Sequence, residues 1–82
     1  MAALTILYFA RVAETMGRSS EALDRPHGVK TLGDLADWIE KNGGNLGDRA
    51  KLRGAIDQRM ATLDTALGDA HEVAFFPPVT GG

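Results

Sequence analysis

Two adjacent glycines, Gly81 and Gly82, close an 82-residue sequence directly after Phe75-Phe76-Pro77-Pro78-Val79-Thr80. Neither carries a Cβ, so a diglycine end is slender enough to enter a narrow active site on another protein. The reactive group would be the Gly82 carboxylate. At neutral pH a carboxylate is a poor electrophile and must first be activated, for instance as an acyl-adenylate with AMP as leaving group. A sulfur donor that displaces AMP leaves a terminal thiocarboxylate, whose ionised sulfur is soft and nucleophilic without a general base. A lysine amine attacking the same carbonyl would give a protein conjugate instead. Both outcomes need a thin terminus, and the tail residues alone do not choose between them.

The prolines define how that end is presented. Pro77 and Pro78 cannot donate to a sheet ladder, so pairing stops before them. Consecutive prolines favour an extended polyproline conformation, which is expected to hold the tail away from the body. Six residues, 77–82, reach up to ~20 Å when fully extended.

Other chemistry-bearing residues point nowhere in particular. His27 and His71 are far apart in sequence, each in a turn pattern, and no cysteine or closely spaced carboxylate joins them as a metal site. Asp64 and Asp69 sit near loops, where solvated or capping roles are the usual ones. Gly43-Gly44-Asn45-Leu46-Gly47 follows a helix pattern instead of opening one, so it is no phosphate cradle.

Composition narrows the classes. The chain has the length of one small domain, and 44% apolar residues are enough for a core. With no cysteine there is no disulfide, which fits a reducing compartment, and any sulfur carried cannot sit on a side chain. Net charge is −2, with Lys and Arg scattered along the sequence, so no nucleic-acid footprint is expected. The apolar run 4–10 is too short to span a bilayer and lacks a basic leader. A cytoplasmic protein with no membrane partner is expected.

The elements that must position the tail follow from periodicity. Residues 3–9 predict a strand, apolar on both faces, with Leu4, Ile6 and Tyr8 on one side and Thr5, Leu7 and Phe9 on the other. Residues 10–16 predict a short helix stopped by Gly17. Ser20 to Leu23 predicts a short strand. The clearest helix is 32–42, with Thr31 as N-cap, Asp34 at the third position, and Leu32, Leu35, Ala36 and Ile39 on one face. Trp38 borders that stripe, and Gly33 is a local weakness of up to ~1 kcal/mol relative to Ala. Residues 45–52 read as a loop with a helical turn near Asp48 to Leu52. Short strands near 53–57 and 59–63 turn around Asp57-Gln58, and Glu72 to Phe76 is the final strand. This order is α+β, with one main helix covering a small mixed sheet. Residues 1–76 form the globular domain, and 77–82 form a flexible tail.

Those residues resemble a known family. Glu72-Val73-Ala74-Phe75-Phe76-Pro77-Pro78-Val79-Thr80-Gly81-Gly82 is similar to the C-terminus of the small subunits of molybdopterin synthase, the sulfur carriers of molybdenum cofactor biosynthesis. Tyr8-Phe9-Ala10-Arg11-Val12-Ala13-Glu14, Thr31-Leu32-Gly33-Asp34-Leu35 and Ala55-Ile56-Asp57-Gln58 resemble that family's first strand and helix, main helix start and hairpin turn. Asp57 stands where the family often has Asn, and His71 where it often has Asp. The resemblance implies a ubiquitin-like β-grasp fold, with the last strand beside the first. It implies that an ATP-dependent activating enzyme adenylates Gly82 and that a sulfurtransferase converts it to the thiocarboxylate. The small subunit then docks on a large subunit in a heterotetramer. Its tail enters the large subunit's active site, where sulfur passes to cyclic pyranopterin monophosphate. The catalytic side chains belong to the large subunit, and no cofactor is bound by this chain. Phe9, Met60 and Phe76 match exposed apolar positions used against partners, and Pro77, Pro78, Val79, Thr80, Gly81 and Gly82 form the inserted segment. A ubiquitin-like modifier, or a carrier for thiazole formation or tRNA thiolation, are the other readings.

Overall fold

A computed structural model describes residues 3–78. The element order is β1 (Ala3–Tyr8), α1 (Ala10–Met16), β2 (Ser20–Asp24), α2 (Leu32–Lys41), a 3-10 turn (Arg49–Lys51), β3 (Arg53–Ile56), β4 (Arg59–Ala61) and β5 (Glu72–Phe76). The five strands form one mixed sheet in the order β2-β1-β5-β3-β4. The β1–β5 pair is parallel and the other three pairs are antiparallel. The expected α+β, ubiquitin-like arrangement is present, with the last strand beside the first.

The two-residue period of β1 and β5 decides which face is covered. Leu4, Ile6 and Tyr8 point to the core together with Val73 and Phe75, and all five are at most 2% exposed. The rings of Tyr8 and Phe75 stack across the parallel pair with centroids 6.3 Å apart. The α2 stripe of Leu32, Leu35, Ala36 and Ile39 closes the core from above.

The start of α2 is fixed by more than its cap. Thr31 Oγ1 accepts the Asp34 N–H at 3.0 Å, and the Asp34 carboxylate accepts the Thr31 N–H at 3.1 Å, completing a capping box. The first two helical N–H groups donate to the loop ahead of β5: Leu32 to the Thr65 carbonyl at 3.0 Å and Gly33 to the Leu63 carbonyl at 2.8 Å. Every orphan donor of the first turn is therefore satisfied. This docking also gives Gly33 a purpose. A Cβ there would lie 3.0 Å from the Leu63 carbonyl oxygen, so the position expected to be a weak helix former is a close approach. Gly54 is tighter still, because an added Cβ would fall 2.5 Å from Leu32 Cδ2.

Several boundaries differ from expectation. β1 stops at Tyr8, because Phe9 becomes the N-cap of α1 and Ala10 turns the chain sharply at φ 52. α2 ends at Lys41, β3 at Ile56 and β4 at Ala61. Asp57 and Gln58 both take positive φ, 48 and 69, as a two-residue hairpin turn with right-handed strand twist requires.

Candidate functional site

The tail leaves from β5, which lies at the centre of the sheet. β5 pairs with β1 on one side, as far as Phe75, and with β3 on the other, as far as Phe76, so the strand that carries the tail is anchored on both edges. Val79, Thr80, Gly81 and Gly82 lie outside the described residues, as do Met1 and Ala2.

Alternation along β5 sends Phe75 into the core and Ala74 and Phe76 to the opposite, uncovered face of the sheet. Register extends that face across four strands. Met60 on β4 is opposite Ala55 on β3, Ala55 is opposite Ala74, and Ala74 is opposite Leu7 on β1. Small half-buried side chains make the middle of this row flat, while Met60 stands out at 71% exposure. In the next row Phe76 is paired with Arg53. The Phe9 N–H donates to the Phe75 carbonyl at 3.1 Å, one step beyond the paired Tyr8 and Phe75, which sets Phe9 beside Phe76. Phe9 is 49% exposed. Phe9, Phe76 and Met60 thus share one uncovered apolar face with Leu7, Ala55 and Ala74. Sequence alone pointed to the three large residues. The small residues between them were missed, although the β3 and β5 alternation carried the signal.

Pro77 and Pro78 do not stand clear of the body, contrary to the sequence expectation. Both are half-buried and form one wall of a groove of about 490 Å3. Its other walls come from α1 and the segment 45–52, through Arg11, Thr15, Asn45 and Lys51 among others. The reason is topological: β5 runs parallel to β1, so its end lies where α1 begins.

No described side chains assemble a catalytic constellation. His27, His71, Asp64 and Asp69 are exposed, and among the described residues no three His, Cys, Asp or Glu converge on a metal position. The Tyr8 hydroxyl donates to Glu21 Oε2 at 2.7 Å, and Arg18 donates to the other oxygen of that carboxylate at 3.2 Å. Burial and then the Glu21 contact push the Tyr8 phenol well above its ordinary value, so it stays protonated and structural. Asp57 does something sequence inspection did not reveal. Its Oδ1 accepts the N–H of His71 at 2.9 Å and of Glu72 at 3.0 Å, tying the hairpin turn to the start of β5. The His71 N–H holds this carboxyl below its ordinary range, against an opposing desolvation and with the further help of the Glu72 N–H. No helix among the described residues is long and apolar enough to cross a membrane.

Comparison with known proteins agrees with this architecture. The model of the ThiS family matches residues 6–82. The molybdopterin synthase sulfur carrier subunit of Escherichia coli K12 is 37% identical over 81 residues, covering 96% of this chain and 99% of the relative. A Pyrococcus furiosus structure, described as a putative molybdopterin converting factor subunit 1, superposes with a TM-score of 0.71 at 27% identity, covering 96% of this chain and 100% of that one. The small archaeal modifier protein 1 of Haloferax volcanii superposes with a TM-score of 0.65 at 28% identity over the same shares. A central strand that ends in the Pro-Pro segment, an uncovered apolar face beside it and a family match over residues 6–82 lead to one assignment: the chain belongs to the ThiS family and to the family of molybdopterin synthase sulfur carrier subunits.

Proposed function

We propose that this chain is the sulfur carrier of a molybdopterin synthase and that its chemistry resides in the Gly82 carboxyl. The observation that carries this is the full-length likeness to a sulfur carrier subunit, joined to a tail root held rigid by β5. An ATP-dependent activating enzyme converts the Gly82 carboxylate to an acyl-adenylate with release of pyrophosphate. A sulfur donor supplied by a sulfurtransferase then displaces AMP and leaves the thiocarboxylate. The large subunit receives the tail, and its own side chains direct attack of the sulfur on cyclic pyranopterin monophosphate. Water returns the acyl end to a carboxylate. This chain contributes the sulfur, the reach of residues 77–82 and the docking face of Phe9, Met60 and Phe76. It binds no cofactor in this cycle, and its place of work is the cytoplasm.

The test is intact-mass analysis of the protein purified from its own cells with the cofactor pathway active. A population with one terminal oxygen replaced by sulfur is expected, and deletion of Gly82 abolishes both that species and molybdopterin formation. A ladder of lysine conjugates under denaturing conditions, with no thiocarboxylate, would instead establish a protein modifier.

A further inference from the structure

The sequence scatters its basic residues, but the fold gathers three of them around the root of the tail. Arg11 on α1 and Lys51 at the end of the 3-10 turn line the groove walled by Pro77 and Pro78. Arg53 sits across the strand pair from Phe76, its guanidinium donating to the carbonyls of Ala50 and Leu52 at 3.4 and 3.2 Å. All three are exposed, and among the described residues none joins an ion pair; those pairs engage Arg18 and Arg49. Asp48 is the single carboxylate among the described residues that line the groove, and its Oδ1 already accepts the Ala50 N–H at 3.0 Å. Among the described residues, this end of a chain with net charge −2 therefore carries more positive than negative charge. The groove floor is apolar, made by the buried Val12, Leu46 and Leu52.

We propose that this groove seats an acidic segment of the large subunit, beside the opening through which the tail enters. The proposal rests on the sulfur-carrier reading and adds to it the chemistry of the partner's rim. Position favours a peptide occupant over a nucleotide. Activation takes place at Gly82, six residues beyond Phe76, so the activating nucleotide is handled at the chain's end, whereas the groove lies at the tail's root. An apolar floor with a cationic edge suits a short strand or loop carrying one apolar side chain and flanking carboxylates. The groove also continues the apolar face: Phe9 caps the helix that carries Arg11. Docking through Phe9, Phe76 and Met60 brings the partner surface against both at once. Paired with acidic groups, the three cations steer the encounter so that the tail faces its opening before contact.

The experiment measures association of the full-length chain with its large subunit across a salt series. Compared are the wild type, the double variant Arg11→Glu/Lys51→Glu, and a control, Lys30→Glu, an exposed residue ahead of α2 that does not line the groove. The double variant is expected to associate at least about tenfold more slowly at low salt, with the difference shrinking as salt rises and the control unchanged. Thermal melts of each chain confirm that all are folded. Wild-type binding with the same rates and salt slope in the double variant overturns the acidic-rim proposal alone. No binding by the wild type overturns the sulfur-carrier reading together with it. The comparison is repeated in chains lacking Gly81 and Gly82. The rate difference is expected to persist there, and its disappearance would show that the groove holds this chain's own carboxyl end and overturn the proposal.

Discussion

The carboxylate of Asp57 accepts the backbone N–H of Glu72 at 3.0 Å, joining the β3–β4 turn to the first residue of the strand that carries the tail. The same oxygen takes the His71 N–H at 2.9 Å. Two backbone donors left over where β5 begins are thereby satisfied from a turn on another part of the sheet.

That geometry sets an acid limit on stability. The Asp57 carboxyl titrates below its ordinary value of 3.8, chiefly through the His71 N–H. A depressed carboxyl pKa in the folded state means that the unfolded chain binds more protons at low pH. The contribution is fully present above the ordinary value and is lost as pH falls through the folded one. Asp34, held down by the N–H groups of Lys30 and Thr31, acts with the same sign. Melting curves from pH 7 to pH 2 should show stability falling below about pH 4. Asp57→Asn keeps an accepting oxygen and should flatten that fall, whereas Asp57→Ala lowers stability at all pH values. An unchanged acid profile in Asp57→Asn would exclude the assignment.

The cap of α2 is tested by Thr31→Ala. It leaves the Asp34 N–H without its partner and should cost about 1 kcal/mol. In a domain of this size that corresponds to a melting shift of about 4–8 °C. Thr31→Ser should recover most of it.

Gly54→Ala adds a residue better suited to a strand yet should destabilise. The new Cβ meets Leu32, which is fully buried and has no free direction in which to move. Overpacking of this kind typically costs about 1–3 kcal/mol. The paired substitution Gly54→Ala/Leu32→Ala should lose less than the sum of the two single changes, a coupling that a double-mutant cycle reads directly.

Met60→Ser separates folding from docking. Met60 is 71% exposed, so the melting temperature should hardly move, with a change within about 0.5 kcal/mol. Affinity for the large subunit should fall by about tenfold, the loss associated with removing an anchoring interface residue. Equal affinity in titration calorimetry would remove Met60 from the docking face.

Much of this was legible in the residues. The Thr31 and Asp34 spacing and the stripe of Leu32, Leu35, Ala36 and Ile39 gave α2 to within one residue, because capping and periodicity are local. The family resemblance set Phe76 at an exposed position, and alternation along Glu72–Phe76 turns Phe75 inward and Phe76 outward. What stayed hidden depends on contacts distant in sequence. Gly33 and Gly54 look like weak choices until Leu63 and Leu32 are seen against them. Asp57 looks like an ordinary turn residue until His71 and Glu72 are beside it. The path of Pro77 and Pro78 along α1, and the meeting of Arg11, Lys51 and Arg53, follow from strand order, which no local pattern encodes.

Strand order also has a bearing on synthesis. Without β5, the remaining strands fall into two separate antiparallel pairs, β2 with β1 and β3 with β4, which share no ladder. A two-stranded hairpin alone is marginal in water. On the ribosome, the sheet therefore cannot close until Glu72–Phe76 has emerged. A translation product cut short before that strand would not survive as a stable decoy able to occupy the partner with nothing to deliver.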